Sequence, residues 1–96
     1  MQDKLVTIAG KRWRWQWWRF GRGENDGDCD PPNVKRKTIR IRDSLRRTER
    51  QRRLMEVAIH EILHAAAWPI REDIVTQGAE DIADVLWKLG YRRTEQ

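Results

Sequence analysis

The chain has two histidines, and both fall in one pentapeptide, His60-Glu61-Ile62-Leu63-His64. Helical i, i+4 spacing places the two imidazoles on one face, about 6 Å apart, where they can grip a single divalent ion. Glu61 sits beside them. A carboxylate there can take a proton from a water whose pKa a bound metal has lowered toward about 7, and can hand it on to a leaving amine. The pentapeptide therefore predicts metal-assisted amide hydrolysis, with zinc as the cofactor.

Two imidazoles do not complete a catalytic zinc site, which takes three protein ligands and keeps a position open for water. With no third His, the remaining ligand is a carboxylate or Cys29. Downstream acids are Glu72, Asp73, Glu80, Asp81 and Asp84. On a helix starting near residue 71, successive side chains are about 100° apart. The apolar arc of Ile74, Val75, Ala79, Ile82, Ala83, Leu86 and Leu89 then includes the azimuth of Glu72. Glu80 falls about 80° away, at the edge of that arc, and Asp73 and Asp81 point outward. A tight turn at Trp68–Arg71 makes the two helices antiparallel, which brings the first turn of the second helix level with His64. Glu72 is favoured as third ligand on both counts, with Glu80 as the alternative. In Asp28-Cys29-Asp30 the choice is between an approach to the metal or substrate pocket and a plain turn punctuated by Asp and Pro.

These residues need a scaffold, and the chain supplies an α+β one. Lys4–Ile8 reads as a strand and Ala9-Gly10 as a turn. Over 12–18, Trp13, Trp15 and Trp17 alternate with Arg12, Arg14 and Gln16, the period of a half-buried strand with its indoles inward. The two strands form a hairpin, and Trp18 breaks the alternation. Residues 21–37 form a loop with no helix or strand pattern over 21–33. Thr38–Arg42 is a third strand with Ile39 and Ile41 on one face. Thr48-Glu49-Arg50-Gln51 reads as a capping box opening the active-site helix, assigned to 48–67 and ended by Trp68-Pro69. A second helix spans 71–90, with Gly90 just past its end. The expected architecture is a small sheet, a hairpin plus an edge strand, packed on an antiparallel pair of helices in one domain covering residues 1–96.

His60-Glu61-x-x-His64 followed by a helical Glu resembles the zincin metallopeptidases, in particular the gluzincin type with a His, His, Glu metal site. The stretch from Arg53 to Arg93, together with Asp28-Cys29-Asp30-Pro31-Pro32, is also similar to compact phage- and prophage-type proteins carrying this motif. The resemblance implies zinc held by His60, His64 and Glu72, Glu61 as general base, and a peptide or protein substrate. It also implies an edge strand beside the active-site helix to which substrate backbone adds, and Thr38–Arg42 matches that place in the chain order. The Asn-Glu pair and the helical subdomain of larger gluzincins are absent.

Composition sets the wider frame. The net charge is +5 and the basic residues concentrate in 11–22 and 35–53. The Arg40–Arg53 run offers a possible contact for nucleic acid or another polyanion, against the simpler reading of a solvated helix end. A basic binding module with a structural or vestigial zinc site is thus the alternative function. One cysteine excludes an internal disulfide, and no long apolar run marks a leader or a membrane span, so the expected setting is the cytoplasm.

Overall fold

The computed structural model describes residues 4–21 and 25–94. Residues 22–24 of the expected loop, with Arg22 of the first basic stretch, and residues 95–96 of the tail lie outside it. Strands β1 (Lys4–Ile8) and β2 (Lys11–Trp18) pair antiparallel in the register Ile8↔Lys11 to Lys4↔Trp15. The two residues between them, Ala9 and Gly10, both have positive φ, 52° and 76°. This is the sign pattern of a type I′ turn, whose twist matches that of the strands it joins. Gly adopts that conformation without steric cost and Ala does not. Ala9→Asn is therefore expected to stabilise the fold by about 0.5–1 kcal/mol. For a domain of this size that is a rise of about 2–8 °C in the thermal midpoint, measurable by calorimetry.

The sheet has four strands, not three, in the order β1-β2-β4-β3. Strand β4 (Thr38–Arg42) lies parallel to β2, and a short strand β3 (Gly27–Cys29) pairs antiparallel with β4 on its other side. Two sequence expectations are thereby corrected. Residues 27–29 are a strand and not loop, and β4 is internal, so the edge beside the helices is β3. Three residues rich in Gly and Asp carry no period-2 signal. What holds them is a set of ion pairs to the outward arginines of β4. Arg40 Nη1 donates to Asp28 Oδ1 at 3.1 Å and to Asp30 Oδ1 at 3.0 Å, and Arg42 Nε donates to Asp26 Oδ1 at 2.9 Å. Asp30 Oδ2 also accepts from the Thr38 amide at 3.0 Å.

The inward face of the sheet carries Trp13, Ile39 and Ile41, all fully buried, with Trp15, Trp17 and Cys29 half-buried around them. Two 3-10 turns, Asp43–Arg46 and Thr48–Arg50, lead into helix α1 (Gln51–Ala66). The expected capping box does not form: Thr48 begins a 3-10 turn, Arg50 occupies the N-cap position, and no side chain caps the helix. Leu54, Val57 and Ala65 of α1 close the core against the sheet, whereas Ile62 is exposed.

Helix α2 (Glu72–Lys88) packs on α1 through a narrow seam of Val75, Ala79 and Ala83, and Gly90 ends it at φ 95°. Ile74, Ile82 and Leu89, which the periodicity places on the buried arc, are left exposed together with Val85. Small residues in the seam let the two helices approach closely, so only a narrow strip of α2 is covered. No helix among the described residues is long and apolar enough to cross a membrane.

Candidate metal centre

Helix α1 presents His60 and His64 from successive turns, their ring centroids 4.9 Å apart. The Trp68-Pro69-Ile70 turn reverses the chain, and Glu72 becomes the first residue of α2. Its carboxylate reaches both rings: Oε1 is 2.9 Å from His60 Nε2 and Oε2 is 2.8 Å from His64 Nε2. The three side chains offer ligand atoms that all lie within 4.8 Å of one another. Among the described residues no other acid or Cys29 joins this group. Glu80, two turns further along α2, is exposed and is not among the grouped residues. The choice between the two glutamates is thus made by the turn.

The donor set fits zinc. Both imidazoles direct the same nitrogen, Nε2, at the Glu72 carboxylate, one to each oxygen, and that carboxylate is a hard oxygen donor. Ligand atoms around a tetrahedral zinc with bonds of about 2.0–2.1 Å are about 3.3 Å apart, so admitting the ion requires the carboxylate contacts of 2.8 and 2.9 Å to lengthen and the ligand atoms, which span up to 4.8 Å, to draw together by small side-chain rotations. The Glu72 side chain is 66% exposed, which keeps one side of the group open.

Glu61 differs sharply from its neighbours. It is 7% exposed, and among the described residues it has no hydrogen-bond or ion-pair partner. Its pKa is pushed up to about 7, first by burial and then by the negative charges of Asp28 and Glu72. A bound divalent cation acts in the opposite direction, because it favours the carboxylate. Glu61 lines the same cleft of about 620 Å³ as His60, His64 and Glu72. The other wall of that cleft is β3 and the residues before it.

Strand β3 comes this close because residue 27 is glycine. A Cβ there would lie 2.9 Å from Val57 Cγ1, 3.1 Å from the Arg40 carbonyl oxygen and 3.2 Å from Glu61 Cγ. Gly27 thus sets the spacing between the edge strand and the general-base candidate. Nothing in its sequence context marks it, because the contact spans more than thirty positions. Asp26 fastens the same junction, with Oδ2 accepting from Arg53 Nε at 3.0 Å while Oδ1 is held by Arg42. Gly27→Ala is expected to cost about 1–3 kcal/mol in urea unfolding, as in other overpacked sites. The His60, His64 and Glu72 group should keep its geometry, since the change touches none of the three, while Glu61 is displaced.

Cys29 lines the cleft without joining the ligand group, and its thiol donates to the Asp30 carbonyl oxygen at 3.4 Å. Burial, then the charges of Glu61, Asp30 and Asp28, push its pKa up to about 12, so it is a neutral thiol at physiological pH. A thiolate is the metal-binding form of cysteine. Asp28 and Asp30 serve as the partners of Arg40. Much of the arginine run is similarly engaged: Arg40, Arg42, Arg46, Arg52 and Arg53 have carboxylate partners.

Comparison with protein-family models, with curated proteins and with solved structures finds no match to this chain.

Proposed function

We propose that this protein is a zinc-dependent metallopeptidase-type hydrolase, with His60, His64 and Glu72 as zinc ligands and Glu61 as general base. The observation that carries the reading is Glu61, 7% exposed as a residue and lining the same cleft as three convergent ligand atoms. Desolvation and neighbouring negative charges raise the pKa of this carboxyl, and groups perturbed in that way concentrate where chemistry needs them. Zinc bound here would supply Lewis acidity, polarising a carbonyl and acidifying water.

The chain's own residues would do the rest. An extended peptide would pair with the free edge of β3, its backbone groups satisfied by the strand, as in other cases of strand addition. Gly27 would bring that strand close to α1, so that the scissile carbonyl passes in front of Glu61. The carboxylate would accept a proton from the attacking water and return it to the departing amine. Burial suits this role by raising its basicity toward neutral pH.

The alternative of a purely structural zinc is less well supported. Structural sites are closed by four protein ligands, and this group has three with an exposed side. The test is elemental analysis of the purified protein together with cleavage of an unfolded protein substrate, before and after chelation. One zinc per chain and chelator-sensitive cleavage are expected. A full zinc site with no cleavage of any unfolded or peptide-library substrate would remove the peptidase reading and leave the metal site.

A further inference from the structure

A second cleft, sharing no residue with the first, lies where β2 ends, β4 ends and the chain turns toward α1. Its volume is about 610 Å³, and five arginines line it, Arg19, Arg42, Arg46, Arg47 and Arg93, against one acid, Asp43. Arg46 is paired with Asp43 and Arg42 with Asp26. Arg19 and Arg47 are exposed and, among the described residues, have no acidic partner.

Aromatic rings are built into the same wall. Trp18 is 45% exposed, with the Arg40 guanidinium 5.7 Å from its centroid, and Phe20 has Arg42 at 5.5 Å. Next to them Trp17 carries Arg46 at 4.8 Å and Arg93 at 5.4 Å. These ring-held guanidinium groups are fixed in place and keep positive charge around the cleft that Arg19 and Arg47 also line. The charge of the chain is also segregated, since α2 carries five acids and one base.

We propose that this cleft binds single-stranded nucleic acid, with Arg19 and Arg47 on phosphates and Trp18 as a base-stacking platform. Cationic grooves interleaved with aromatic rings suit unpaired strands, whose bases can leave their own stack. A duplex offers the same phosphates but keeps its bases enclosed, so the rings would gain nothing from it. A flat anionic surface cannot enter a concave cleft. Unlike the Arg40–Arg53 run taken as a whole, this site draws on β2 and the C-terminal segment and leaves the paired arginines in place. It is independent of the metal site, so its outcome and that of the peptidase reading are separable.

The test is fluorescence anisotropy with a labelled oligothymidylate of about 15 nucleotides, a length suited to sites of this kind. Binding should be salt-sensitive and unchanged by chelator. Arg19→Glu and Arg47→Glu should each weaken it at least about tenfold and flatten the salt dependence. Trp18→Ala should weaken it about tenfold with the salt dependence retained, and Trp18→Phe should restore most of the loss. Ultraviolet crosslinking of the wild-type complex should place adducts at Trp18 or Phe20, a readout that needs no variant. No binding at low salt would overturn the proposal. So would an equal loss in Lys35→Glu, which changes the charge away from the cleft, or heparin or duplex competing better than the oligonucleotide, or Trp18→Ala without effect.

Discussion

Glu61→Gln is expected to abolish hydrolysis, by about 10²–10⁴-fold or to the detection limit, while one zinc per chain is retained. The amide has the shape of the carboxylate but cannot accept the proton. It touches none of the three ligands, so metal affinity should be close to wild type. Folding should not suffer either. A carboxylate that is 7% exposed and unpartnered opposes folding whenever it is charged, and the substitution removes that charge. The pairing of unaltered stability and metal content with lost cleavage distinguishes a general base from a structural residue. Cleavage at wild-type rates in the Gln variant would mean that Glu61 is not the base.

Glu72→Ala is expected to weaken zinc binding about a hundredfold. Structural zinc sites with four ligands bind with about 10–16 kcal/mol, or roughly 3 kcal/mol per ligand, and about 1.4 kcal/mol is a tenfold change. Among the described residues Glu72 is one of three donors in the group, and no other described His, Cys or acid joins it. Because its side chain is 66% exposed, its removal should leave the metal-free fold nearly unchanged. Glu80→Ala serves as the control and should bind zinc as wild type does. Competition titration against a chromophoric chelator measures both. Equal affinity in wild type and Glu72→Ala would show that the carboxylate is not a ligand, and the two imidazoles alone would then be too few for a stable site.

These two experiments also separate what each residue type does. Loss of the metal in Glu72→Ala removes activity indirectly, and adding zinc in excess should restore part of it. Loss of activity in Glu61→Gln should not respond to zinc. Gly27→Ala should fall between them, with full metal content, lower stability and lower activity.

Local spacing already determined that His60 and His64 share one face of a helix, because an i, i+4 pair of imidazoles needs only one helical turn to converge. It determined the hairpin too, through the alternation at Trp13, Trp15 and Trp17 and the Ala9-Gly10 turn, and it placed Ile39 and Ile41 on one buried face. Azimuth and the tight Trp68–Arg71 turn favoured Glu72, since both act within a few residues. Contacts between distant segments decided the remainder. Pairing of Gly27–Cys29 with β4 depends on Arg40 and Arg42 meeting Asp28, Asp30 and Asp26, which have no periodic signature along the chain. The isolation of Glu61 depends on Gly27 arriving from another strand, and the narrow Val75, Ala79, Ala83 seam left exposed a face that hydrophobicity alone placed inside. Short-range periodicity specifies which side a residue faces. Only packing specifies what it meets there, and in this protein that difference separates a motif from a site.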